Sequence, residues 1–177
     1  MNSRKIEETN QHMERQQENF RIAADFVANS FKEISGVERI VLFGSVAKPL
    51  EKEVPRFREF KRAGIEVWHE CKDIDLAVWL SDLNILRTLQ KARSESLTRL
   101  LENRNIGVAH HQVEVFIFAG GTNNYLGRLC TYSACPKGKE DCLVIGCGKI
   151  PLLKQHENFT LKADAIESDS SIVLFER

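Results

Sequence analysis

The stretch "CKDIDLAVWL", residues 71 to 80, opens an apolar run with two aspartates two positions apart. Side chains alternate between faces along a strand, so Asp73 and Asp75 share one face while Ile74, Leu76, Val78 and Leu80 share the other. The aliphatic side needs a packed core. The acidic side carries two like charges about 7 Å apart by strand rise, which repel and call for a positive partner. A fold for this chain must therefore cover one face of a sheet and supply a counter-charge to the other.

Two further segments have the same character. "VERIVLF" reads as a short strand that ends abruptly at Gly44-Ser45, and "HQVEVFIF" as another closed by Gly120-Gly121. Between and before them the period changes to that of a helix. Phe20, Ala23, Ala24, Val27, Phe31 and Ile34 recur at helical spacing, with Gly36 placed to end that helix. Leu83, Leu86, Leu89, Leu97, Leu100 and Leu101 form an interrupted stripe on a second helix, for which Ser81 or Asp82 is the cap. Thr122 is placed to cap a short third helix through Leu129, and the chain finishes in a strand-like "SIVLF". These elements predict an α+β domain, a small mixed sheet flanked by helices, over residues 20–129.

Three segments lie outside that core. Residues 1–19 are polar with a helical bias and read as a helix or disordered arm. An insertion at about 48–70 carries Pro49 and Pro55, and between positions 48 and 62 its basic residues outnumber its acidic ones. Residues 130–177 form a cysteine-rich extension and tail. Lys+Arg and Asp+Glu are both 25 in a chain of 177 residues, so no global positive field argues for non-specific nucleic-acid binding. The first residues lack the apolar core of a signal peptide, and no apolar stretch is long enough to span a membrane. The expectation is a cytoplasmic protein with no membrane partner.

The acidic face is the candidate site. In "VEVFIF" Val113, Val115 and Ile117 share one side and Glu114 takes the other. If the two strands are neighbours, Glu114 joins Asp73 and Asp75 on one surface. Magnesium takes hard oxygen ligands, and a pair of Mg²⁺ ions is often held by shared carboxylates. Gly44-Ser45 supplies a complementary element: a strand ending in Gly-Ser presents backbone amides at an expected helix start, suited to phosphate oxygens.

"VLFGSVAKPL", then "KDIDLAVWL", then "VEVFIF" resembles the DNA polymerase beta-type nucleotidyltransferase superfamily over roughly residues 20 to 128. The resemblance implies the nucleotidyltransferase fold and Mg²⁺-dependent transfer of a nucleoside monophosphate from an NTP to an acceptor hydroxyl. By position, Gly44 and Ser45 would hold the β- and γ-phosphates. Asp73 and Asp75 would coordinate two metal ions, and Glu114 would coordinate one of them and assist deprotonation of the acceptor. Lys48 is the candidate for a further phosphate contact. The interval between Ser45 and Asp73 is longer than the family's usual one, which marks residues 48–70 as inserted, and the third carboxylate is Glu where Asp is common.

The extension holds Cys130, Cys135, Cys142 and Cys147 at C-x4-C-x6-C-x4-C, with turn-forming Pro136, Gly138, Gly146 and Gly148. Four thiolates can close a tetrahedral structural Zn²⁺ site, and a segment this poor in apolar residues needs a staple. Zinc is the expectation; an iron–sulfur cluster, two disulfides or unpaired thiols are the alternatives. His156 could replace one ligand, although a surface role is its simpler reading. Cys71 reads as a small buried residue, and His110 and His111 as loop residues that could meet the acceptor. The acceptor is open among a small molecule, a protein and an RNA, and a second copy or partner chain is open as a companion. The rival function is a non-catalytic nucleotide- or partner-binding module with a zinc-stabilised docking segment.

Overall fold

A computed structural model of the chain describes residues 3–50, 70–132, 135, 147–167 and 170–177. Its elements are α1 (Ser3–Phe31), β1 (Val37–Phe43), β2 (Ile74–Leu80), α2 (Leu86–Arg104), β3 (Val113–Ala119), β4 (Tyr125–Leu129), β5 (Leu153–Lys154) and β6 (Ile172–Glu176). The strands form one six-stranded sheet in the order β5-β4-β3-β2-β1-β6. Among the described residues only β2 and β3 run parallel; the other pairs are antiparallel. A parallel pair cannot be closed by a tight turn, and α2 supplies the crossover between them. The architecture is α+β with a mixed sheet.

Both helices lie on one side of this sheet. Phe20, Ala23, Ala24, Val27 and Phe31 of α1 join Leu86, Leu89, Leu97 and Leu100 of α2 in one core with Ile74, Leu76, Val78, Val113, Val115 and Ile117. Each of these strand residues alternates with one that points to the opposite face, as the period of two requires. The polar N-terminal stretch is the first half of α1, and within it Ile6 and Met13 are buried. Asn105, at φ 55, ends α2 in the left-handed conformation that Asn tolerates better than most residues. Asp82 caps a 3-10 turn ahead of α2 by accepting a hydrogen bond from the Asn84 amide at 2.9 Å.

The apolar side also holds Arg93, 1 % exposed, which donates to the carbonyls of Val113 and Cys130 at 3.2 and 3.1 Å. Gln90 donates to the same Cys130 carbonyl at 3.0 Å. These bonds anchor α2 to the end of β4, and burial pulls the arginine below its usual pKa.

The opposite face carries a second, smaller core of Val41, Ala77, Trp79, Phe116 and Phe118, covered in part by Ile166 and Leu161 from the C-terminal segment. No helix among the described residues is long and apolar enough to cross a membrane.

Residues 122–129 are not a helix. Thr122 bonds within a turn, its hydroxyl donating to the Ala119 carbonyl at 2.9 Å and accepting from the Asn124 amide at 3.1 Å. The chain then returns as β4 against β3. The open edge of β3 offers unpaired backbone groups, and a short connection satisfies them by a hairpin. Gly127, at φ 148, lets β5 approach: a Cβ there would lie 2.8 Å from the Lys154 carbonyl oxygen.

Candidate functional site

The acidic residues sit where β1, β2 and β3 lie side by side. Asp75 is the Cα partner of Phe43 on one side and of Glu114 on the other. Residues directly opposite on neighbouring strands share a face, so Asp75 and Glu114 are adjacent on the face away from the helices. Asp73 is exposed and precedes the first residue of β2.

Gly44 completes the pocket around Asp75. It adopts φ 74, and a Cβ at this position would fall on Asp75 Oδ2 and lie 3.1 Å from its Cγ. Glycine here serves two needs, a left-handed backbone and room for a carboxylate against the main chain. A turn, not a helix, follows it. Residues 45–47 reverse the chain, and no helix begins before Leu50. The N-terminus of a helix expected at this point is absent because the carbonyls of the turn are already committed to α1. Gln17, 6 % exposed, donates to the carbonyls of Ser45 and Lys48 at 3.3 and 2.7 Å. Arg21 donates to the Val46 carbonyl at 2.9 Å. Cys71 is buried below the same turn, its thiol 3.5 Å from the Ser45 carbonyl and its pKa raised by burial.

One arginine sits beside the Asp75–Glu114 pair, bonded to Glu114 and acting on Asp75 through its charge. Arg128 on β4 donates from Nη1 to both oxygens of Glu114, at 2.9 and 3.1 Å. Its guanidinium lies between two aromatic rings, 4.8 Å from the Phe116 centroid and 5.3 Å from that of Phe159. This bridge neutralises Glu114 and leaves Asp75 without a counter-charge of its own. Burial, then the neighbouring charges of Glu114 and Asp73, push the Asp75 carboxyl up to about 7, with Arg128 opposing them. Phe43, directly opposite Asp75, packs edge-on against Phe116 at 5.3 Å and gives the half-buried carboxyl an apolar flank. Water removed from a carboxylate favours its proton.

The hard oxygen donors and surplus negative charge suit a magnesium ion. Even so, no three His, Cys, Asp or Glu side chains among the described residues gather to hold a metal. Glu114 is turned to Arg128, and Asp73 lies outside the strand. Lys48 is half-buried, and its carbonyl, which accepts from Gln17 and Arg21, is the group engaged with α1. Of the four cysteines, Cys130 is buried and Cys135 and Cys147 are half-buried. Cys142, like residues 51–69 of the expected insertion, lies outside the described residues.

Sequence reasoning missed Arg128, Gln17 and Arg21. Arg128 was hidden by assigning its segment to a helix, since strand alternation in "YLGRL" would have flagged it. Gln17 and Arg21 act through backbone carbonyls far along the chain, which leave no local pattern. No family model, curated protein or solved structure matches this chain.

Proposed function

We propose that the chain is a Mg²⁺-dependent nucleotidyltransferase that moves a nucleoside monophosphate from an NTP to an acceptor hydroxyl. The observation that carries this reading is the seating of Asp75 against Gly44 with Glu114 beside it. A carboxylate held dry next to another acid is costly unless a cation is meant to join it. The resemblance to the DNA polymerase beta-type superfamily rests on the same residues in the same order, and it extends the reading to the nucleotidyltransferase fold.

In this reading the Gly44-Ser45 turn, tied down by Gln17 and Arg21, receives the β- and γ-phosphates, with Lys48 as a further contact. Asp73, Asp75 and Glu114 would hold magnesium, which when bound neutralises phosphate charge and activates the attacking oxygen. The acceptor hydroxyl attacks the α-phosphorus, the bond to the bridging oxygen breaks, and pyrophosphate leaves. Glu114 accepts the hydroxyl proton after exchanging Arg128 for the incoming group. The aromatic floor of Phe43 and Phe116 keeps water from Asp75.

Incubation with α-labelled NTP and Mg²⁺ tests the proposal. Label should pass to an acceptor in lysate or on the protein, and Asp75→Asn should abolish it. Absence of transfer together with unchanged nucleotide binding in Asp73→Asn/Asp75→Asn would remove the enzyme reading. The Glu114–Arg128 bridge favours one rival, a module that binds nucleotide or a partner without catalysis; nucleotide binding with no transfer would select it. For Cys130, Cys135, Cys142 and Cys147 we keep the structural zinc proposal. Elemental analysis of protein purified without chelator should find about one zinc per chain, and clearly less retires it.

A further inference from the structure

Across the site face the strand register lines up four charged residues. Asp75 pairs with Glu114, Phe116 beside Glu114 pairs with Arg128, and Arg128 pairs with Lys154. Since directly opposed residues share a face, the row reads acid, acid, base, base from β2 to β5. The acidic half is the proposed metal side. The basic half poses the mirror-image question, because Arg128 and Lys154 are like charges placed directly opposite each other, an arrangement that is destabilising unless something lies between them.

The described residues satisfy only part of that demand. Glu114 engages Arg128 through Nη1 alone, and Arg128 Nε is buried without a hydrogen-bond partner. The nearby Tyr125 hydroxyl is likewise buried, with Arg128 as its polar neighbour. Lys154 makes no ion pair with any described residue. Arg128 and Lys154 border a cavity of about 450 Å³ whose wall also includes Glu114, His111, His156 and Tyr132. That volume is within the range of small-molecule sites. Four of its walls can carry positive charge, and the one carboxylate stands at the end nearest Asp75.

We propose that this cavity is the acceptor site and that the acceptor is a small hydroxyl-bearing molecule carrying a phosphate monoester. The phosphate lies against Arg128 and Lys154, with His111 and His156 flanking it, and the hydroxyl reaches Glu114. A dianion suits two fixed cations and two titratable rings better than a carboxylate does, because it offers more charge and more acceptor oxygens. Binding the anion also gives Arg128 a second partner, which loosens its hold on Glu114. The acceptor role rests on the nucleotidyltransferase reading; the anion site does not.

The test separates the two. The full chain is titrated with inorganic phosphate in Mg²⁺-free, nucleotide-free buffer at constant ionic strength, followed by histidine ring NMR signals. The His111 and His156 signals should move together and saturate, with acetate moving them far less. Lys154→Met should weaken phosphate binding about tenfold, the worth of one charge-assisted contact; His156→Gln should weaken it less. Asp75→Asn should bind phosphate as well as the parent does, while losing label transfer. Unmoved His111 and His156 signals, or parental affinity in Lys154→Met, would overturn the anion site even if transfer to another acceptor is found. Saturable phosphate binding without nucleotidyl transfer to any phosphate monoester would overturn the acceptor assignment and leave an anion pocket of another use.

Discussion

The two faces of the sheet are built from the same strands yet held by opposite physics. On the helix side, Ile74, Leu76, Val78, Val113, Val115 and Ile117 are buried against α1 and α2, and burial of apolar area is enough to hold them. On the other side, the intervening residues are Asp75, Ala77 and Trp79 on β2 and Glu114, Phe116 and Phe118 on β3. There each charge depends on a particular neighbour. Glu114 has Arg128, whereas Asp75 has a glycine, an aromatic floor and another acid. The helix side is held by apolar burial, and the other side carries a carboxyl whose burial favours its protonated form.

The sharpest break of this contrast is a pair of neighbouring substitutions on β2. Asp75→Asn should lower nucleotidyl transfer by roughly a thousandfold or more, as expected when several kcal/mol of charge stabilisation is removed. The same change should raise the urea midpoint of the metal-free protein at pH 8, because it removes a desolvated negative charge. Loss of stability in that variant would mean that the Asp75 carboxylate is well compensated and the contrast is wrong. One residue on, Leu76→Ala should do the reverse, costing about 2–5 kcal/mol of stability by leaving a cavity, as measured by urea unfolding.

Smaller effects sharpen the picture on the site side. Glu114→Gln should cost about 1–3 kcal/mol of stability, since it removes a charge-assisted acceptor from Arg128, and should also eliminate transfer. It should bring the Asp75 midpoint down, because a neighbouring negative charge is lost; carboxyl ¹³C shifts would report this. A midpoint that stays put would leave burial and the Asp73 charge as the causes.

The smallest effect is the pH dependence of the metal-free protein. Asp75 titrates near 7 in the fold, above the ordinary carboxylate value of 3.8. Between those values the folded chain holds a proton that the unfolded chain has released. The Asp75 contribution is therefore full below the lower value and is lost as pH rises through about 7. Stability profiles of the parent and Asp75→Asn should diverge over that window, and Mg²⁺ should narrow the gap. Profiles that run parallel would show no linkage to this residue.

Much of this was legible from local pattern, for reasons visible in individual residues. "VERIVLF", "DIDLAVWL" and "VEVFIF" are bounded apolar runs that name three strands, the last two with the side each buries, and Phe20 to Phe31 and Leu86 to Leu100 give the two helices. Strand β4 escaped because it is short and interrupted by Gly127, whose role is to admit a neighbouring backbone rather than to follow a period. With its strand misassigned, Arg128 lost its face and could not be placed next to Glu114. The turn after Gly44 escaped for a different reason: Gln17 and Arg21 shape it from a helix that is distant in sequence.

What the sequence determined by itself is which residues lie on which side of β2 and β3 and that one side is acidic, because the period of two is a property of the local backbone. Only the tertiary structure decided which strands are neighbours. That ordering put Asp75 between Phe43 and Glu114, gave Glu114 to Arg128, and set Arg128 opposite Lys154. Register is a long-range quantity, selected by the packing of the whole sheet against its helices. The same charges in another strand order would meet different partners and carry a different chemistry.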